Sequence, residues 1–318
     1  MRRVGVLVVF FLFLAVALAA AQDNNEFEKM PTDVQQGQIA APKPKVNNLP
    51  FNVYGLSGLM VTTATRTLVP GSFEVGLAGE YLNASRPHYY DGLYSFLFGV
   101  GIPGGLEFGL RVPYEMTNLL ITPHRSRYFN EPYDTYSKSA AAGLASVEGM
   151  FKWGFVQQHN FLPAFSLGVG GIAPTNNYSQ FLDDNDVHTY GLKVQLAMGL
   201  ELNDLGFTDY AFAILADGTL VLRDIGVDNH KYEEKHGLVH GGMIFPLHPR
   251  NFLELLLEYE GDLMRGTAND QNIENVIASL RFVHYHFNVT AGVKMSFWQN
   301  PDFANQLTYM ATFSYTYF

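Results

Sequence analysis

Alternating hydrophobicity in a series of short segments, few charges among many aromatics, and connections that are alternately short and long predict an all-β fold. The fold expected is a transmembrane antiparallel up-and-down β-barrel of about 12 strands. The 318-residue chain contains 18 Tyr, 25 Phe and 30 Gly, yet only 16% of its residues are charged. A soluble protein carries about a quarter charged residues. The deficit suits a wall that shows apolar side chains to lipid and polar ones to its interior. The 47% hydrophobic content forms no long apolar run after the N-terminus, so strands rather than helices are expected to cross the membrane.

In chain order, the first element is a signal peptide over residues 1–21. Arg2 and Arg3 precede an apolar run from Val4 to Leu18, and Ala19, Ala20 and Ala21 stand before polar Gln22. With no cysteine anywhere, lipid attachment, disulfides, thiolate metal sites and thiol nucleophiles are not available. Residues 22–50 are polar and interrupted by Pro31, Pro42, Pro44 and Pro50, as expected of a flexible periplasmic leader. Residues 51–71 are apolar enough to be ordered. Counting them as a strand would place the two ends of the chain on opposite sides of the membrane. Two placements stay open: a plug or gate tucked into the barrel mouth, or a lid packed on the periplasmic rim.

The barrel is expected over 72–318, with strands at 72–82, 92–102, 105–117, 142–154, 162–173, 188–202, 209–222, 237–246, 251–264, 274–284, 287–298 and 305–318. Phe73, Val75, Leu77 and Tyr81 share a face opposite Glu74 and Glu80. In the third strand Leu106, Phe108, Leu110, Val112 and Tyr114 oppose Glu107, Gly109, Arg111 and Glu115. Val147, Phe151 and Trp153 oppose Glu148 and Lys152. The sixth strand sets Tyr190, Leu192, Val194, Leu196, Met198 and Leu200 against Lys193, Gln195 and Glu201, and the ninth sets Leu253, Leu255, Leu257 and Tyr259 against Glu254, Glu258, Glu260 and Asp262. Strands seven, eight and ten alternate less cleanly. The period of two puts one set toward lipid and the other toward the lumen.

The connections after even strands are short (103–104, 155–161, 203–208, 247–250, 285–286), and most after odd strands are longer (83–91, 118–141, 174–187, 223–236, 265–273). Short periplasmic turns and long outer loops are the expected asymmetry, and an even count returns the C-terminus to the leader's side. The last outer connection, 299–304, departs from it by being short.

The chain ends Tyr315-Thr316-Tyr317-Phe318. This aromatic terminus resembles the end that bacterial barrel-assembly machinery recognises in Gram-negative outer-membrane β-barrels, and the resemblance implies that machinery as a partner. Phe318 falls on the opposite parity from Leu307, Tyr309, Phe313, Tyr315 and Tyr317, which a bulge or a frayed end would reconcile. Near the start, Gly58-Leu59-Met60-Val61-Thr62-Thr63-Ala64 and Gly71-Ser72-Phe73 resemble the opening of a barrel family linked to exopolysaccharide secretion. Thr63 stands where that family has Pro, its lipid-anchoring Cys is absent, and no site residue is carried over.

The candidate functional residues are those expected to line the lumen. Acids (Glu74, Glu80, Glu107, Glu115, Glu148, Glu201, Asp217, Glu254, Glu258, Glu260, Asp262) exceed bases (Arg111, Lys152, Lys193, Arg281, Lys294). Such a wall favours cations by focusing its field across a low-dielectric barrier; alternatively the charges pair and fill a closed lumen. Arg125 and Arg127 in the longest outer loop are candidates for an infolded constriction.

Other chemistry is poorly supported. Asp183, Asp184 and Asp186 lack the Gly and distal Glu of a calcium loop, and His230, Glu233, Glu234 and His236 read as solvated charges. The pair His284 and His286 reads as structural, at a periplasmic turn. His240 lies well inside a strand and is placed inward, but strands 209–222 and 251–264 contain no Ser to partner it, so no enzyme is expected. A net charge of −10 disfavours nucleic acid. No cofactor or metal is expected, and the partners are outer-membrane lipid, lipopolysaccharide and small solutes. The function expected is a porin or substrate-specific diffusion channel of the bacterial outer membrane with an acidic, cation-preferring lumen; the alternative is a filled, non-conducting barrel serving secretion or assembly, such as polysaccharide export.

Overall fold

A computed structural model describes residues 50–84, 89–118, 124–126, 129–133, 140–159, 161–175, 188–202, 212–227, 230–248, 252–265, 272–284, 286–298 and 306–318. The expected signal peptide and residues 22–49 of the leader lie outside these, as do the Asp183–Asp186 cluster and Arg127.

The strands are β1 (Phe73–Ala84), β2 (Tyr89–Ile102), β3 (Leu106–Asn118), β4 (His124–Ser126), β5 (Phe129–Tyr133), β6 (Ala140–Leu144), β7 (Val147–Val156), β8 (Ala164–Ala173), β9 (His188–Glu201), β10 (Ala213–Val227), β11 (His230–Pro246), β12 (Leu253–Arg265), β13 (Asn272–His284), β14 (Phe287–Trp298) and β15 (Gln306–Tyr317). All but β4 and β5 form one antiparallel sheet. β1 pairs with β2 and with β15, and β2 pairs in turn with β3, so the sheet closes on itself. β6 and β7 both pair with β3 and share one position, which leaves a 12-strand barrel. Among the described residues, closure gives every strand of this sheet but the short β6 two neighbours, and so removes the exposed edges that a lipid environment would leave unsatisfied.

Alternation sets the two faces as the sequence predicts. Leu77 is 59% exposed and its neighbour Ala78 is buried; the same contrast separates Phe151 from Lys152, Leu196 from Ala197 and Leu257 from Glu258. The outer face is a continuous apolar surface, which water would penalise and acyl chains accept. At one short-turn end Gly104 and Gly105 take φ of 89° and 73°, values that only glycine adopts without strain. These two residues connect β2 to β3 in the tight turn that the register Ile102↔Leu106 requires.

The structure corrects the expected elements in four places. The predicted strand 142–154 is two strands, because Ala145 and Ser146 interrupt it. They lie opposite Pro113, which accepts from the Ala145 N–H at 2.9 Å but has no N–H of its own to continue the ladder. The predicted loop 223–236 is mostly strand, with β10 reaching Val227 and β11 starting at His230, in the register Arg223↔Glu234 and Val227↔His230. Its residues are polar, so a hydrophobic pattern cannot reveal them. The predicted loop 118–141 holds the short ribbon β4–β5, paired His124↔Tyr133 and Ser126↔Phe129, and the start of β6. Finally, β15 ends at Tyr317, so Phe318 lies beyond the ladder, with its ring 5.6 Å from that of His286; its parity therefore has no bearing on the strand.

Candidate functional site

Residues 51–68 lie inside the ring of strands, and exposed residues 69–71 lead to β1. One buried cluster joins Phe51, Val53, Met60, Val61 and Leu68 to Ala78, Leu97, Ile277 and Met310 on β1, β2, β13 and β15. A second joins Leu59 and Ala64 to Ala213, Leu215, Ile244 and Leu256 on β10, β11 and β12. A segment that touches the inward faces of both arcs of the wall occupies the lumen between them.

The segment folds on itself as a compact coil. Isolated bridges pair Phe51 with Ser57 and Gly58 with Thr63. The Asn52 side-chain oxygen accepts from the N–H groups of Tyr54 (3.0 Å) and Leu56 (3.1 Å), while its amide donates to Thr63 Oγ1 at 3.1 Å. These bonds substitute for secondary structure, which a segment this short cannot otherwise supply to its buried backbone.

The wall makes room by omitting side chains. A Cβ on Gly109 would stand 2.3 Å from Gly55 O, one on Gly101 2.1 Å from Val69 O, and one on Gly242 2.5 Å from Leu59 Cδ1. At Gly109 and Gly101 the clash is with backbone carbonyls, so glycine there is a requirement of the filled lumen, while at Gly242 the Leu59 side chain would have to shift.

Charged wall residues then take up the segment's buried polar groups. Glu258 accepts three consecutive N–H groups, from Met60 (2.9 Å), Val61 (2.9 Å) and Thr62 (2.8 Å). Asp217 accepts from Thr63 N–H at 2.7 Å. Glu107 accepts from the N–H groups of Ser57 (2.8 Å) and Leu68 (3.0 Å) and from Ser57 Oγ, and Glu74 from Phe51 N–H at 3.2 Å. Lys152 donates to the carbonyl of Arg66 (2.8 Å) and to Ser57 Oγ, and Arg281 to that of Gly58 (3.2 Å). Hydrogen bonds to ionised partners are roughly twice as strong as neutral ones. Residues 51–68 are thus held by side chains, and the backbone bond to the wall is at the root of the segment, from the Gly71 N–H to the Gly101 carbonyl at 2.9 Å.

The remaining expected lumen residues are placed as follows. Lys152 pairs with Glu107 at 3.0 Å and Arg281 with Glu254 through Nε at 2.6 Å, all of them buried. Farther from the short-turn end, Glu148 is shared by Arg111 (3.6 Å) and Lys193, and Lys294 lies between Glu80 (3.2 Å) and Glu260 (3.5 Å). Glu201 pairs with Arg66 of the segment. The side chains of Glu115 and Arg125 lie outside the described residues.

Sequence reasoning missed Tyr54. Its ring lies 5.6 Å from Arg111 Cζ and 5.8 Å from Lys193 Nζ, 5.8 Å from the His240 ring, and its hydroxyl donates to Glu260 at 3.3 Å. Tyr54 therefore caps the segment beneath the upper charge cluster. His240, expected inward, sets Nδ1 2.9 Å from Asp217 and Nε2 3.9 Å from Glu260. No signal in the sequence pairs Tyr54 with these groups, but the inward parity of Gly101, Gly109 and Gly242 was a readable sign that something fills the lumen.

No protein-family model and no curated protein matches the chain. Among solved structures it is similar to an outer-membrane channel from Pseudomonas putida F1, with 9% identity over 80% of this chain and 98% of that one and a TM-score of 0.49. It is also similar to the β domain of the Bordetella autotransporter BrkA (14% identity, 78% and 100% covered, TM-score 0.44) and to a mutant of the TodX monoaromatic hydrocarbon channel (9%, 86% and 97%, 0.43). Similarity at this level carries no statement about activity. The fold is that of an outer-membrane-type β-barrel on the strength of the chain's own closed pairing and apolar outer face.

Proposed function

We propose that the protein is a gated channel of the bacterial outer membrane for small solutes, held closed by residues 51–71 acting as a plug. The observation that carries this reading is how the plug is held. Apart from the bond from the Gly71 N–H to the Gly101 carbonyl where it joins β1, its hydrogen bonds to the wall are made with wall side chains, so residues 51–68 can leave without breaking a ladder of the barrel. Acids exceed bases on the wall it would uncover, which supports a preference for cations once the lumen opens. The apolar outer face supports the membrane location.

A second reading, a filled barrel serving secretion or assembly, is favoured by the buried pairs Lys152–Glu107 and Arg281–Glu254, which stiffen a closed interior. Deleting residues 51–66 separates the two. The variant is refolded, its barrel verified by heat-modifiable gel mobility, and its conductance measured in planar bilayers beside the full chain. The gated channel predicts steady conductance with a cation-selective reversal potential in the variant and brief, rare openings in the full chain. A correctly folded deletion variant that passes no current contradicts the channel reading.

A further inference from the structure

We infer that Glu258, with Asp217, Glu260, His240 and Asn275 around it, is a recognition site for a solute bearing a primary ammonium or guanidinium group, and that such a solute competes with the plug for it. This rests on the gated-channel reading above. Glu258 is buried and, among the described residues, has no cationic partner; its hydrogen bonds come from the plug. Three N–H donors of the plug reach its carboxylate at 2.8–2.9 Å, one on Oε1 and two on Oε2; a guanidinium reaches both oxygens with two parallel N–H bonds, and an ammonium reaches them with one or two. The plug occupies the position that such a group would take.

A second observation points the same way. One buried acceptor beside Glu260 has no hydrogen-bond partner, Asn275 Oδ1. Asn275 donates from Nδ2 to Glu260 at 2.6 Å, which leaves its oxygen free to accept. Unpaired buried acceptors are costly and uncommon. A cationic solute entering after the plug withdraws brings N–H donors for this oxygen as well as for Glu258. Lys294, 3.5 Å from Glu260, shares that carboxylate alone and does not reach Glu258. Because the plug's N–H groups and the solute's bind the same oxygens, occupation by one excludes the other, and the solute holds the channel open.

The test compares two cations of equal charge, ethylammonium and tetramethylammonium chloride, on the full-length chain in planar bilayers. Ethylammonium carries three N–H donors and tetramethylammonium none. The inference predicts an open probability roughly tenfold higher in ethylammonium, the worth of one charge-assisted hydrogen bond to a buried carboxylate. Glu258→Gln should abolish the difference and Glu258→Asp should retain part of it. Equal open probabilities in the two salts overturn the inference while leaving the gated channel standing. If Glu258→Gln does not refold, the comparison on the unaltered chain still decides. Absence of openings in either salt, together with a silent plug-deletion variant, removes the channel reading itself.

Discussion

The buried charges and the missing side chains of the wall make opposite demands on substitution. Arg281 and Glu254 are both 0% exposed, so neutralising one strands the other. Arg281→Met should cost about 3–5 kcal/mol in urea unfolding from lipid vesicles, and Arg281→Met with Glu254→Leu should recover most of that loss. At Gly109 the demand is for space. Gly109→Val drives its side chain into Gly55 O and Leu56, and overpacking of about 1–3 kcal/mol should unseat the plug and give standing conductance. Gly241→Val, where an added Cβ meets nothing within 4 Å, should leave the channel closed. The inward parity of Glu107, Arg111, Lys152, Lys193, Glu254, Glu258 and Arg281 was legible because each sits between outward apolar residues. Their partners were not. Lys152 meets Ser57 and Glu258 meets Met60 across a separation in sequence that no local pattern spans.

At the scale of the strand, legibility followed lipid contact. Where both neighbours of a residue face acyl chains, the period of two is enforced by solvation, and β3, β9 and β12 emerge with the faces the sequence predicts. The outer ends of β10 and β11 extend past that constraint, so the register Arg223↔Glu234 continues through largely polar residues that carry no period of two. The break between β6 and β7 was hidden for another reason: it is caused by Pro113 on the facing strand, not by Ala145 or Ser146 themselves. The cost of a charge on the outer face depends on its depth along the strand. Leu196 lies outward near the middle of β9, 52% exposed, and Leu196→Arg should destabilise the barrel by about 2–4 kcal/mol in vesicle unfolding experiments. Tyr317→Arg, at the end of β15, should cost about 1 kcal/mol or less, because the penalty falls toward the interface.

For the molecule as a whole, architecture was legible, and what fills the lumen was not. Parity, connection lengths and an even count lead to a closed barrel, but whether 51–71 enters it depends on the volume left by inward glycines on several strands at once. The central claim is that this segment is a removable plug, and the absence of cysteine allows a direct test. A Cβ on Gly199 would lie 2.8 Å from Thr65 Oγ1 and 3.4 Å from Thr65 Cγ2, close to the spacing a disulfide needs. In a Thr65→Cys, Gly199→Cys variant, single-channel openings recorded in planar bilayers should vanish under oxidising conditions and return when the same membrane is treated with a reductant. Openings of equal frequency and size in the oxidised, cross-linked protein would show that ions pass with the segment in place, and would contradict the gate.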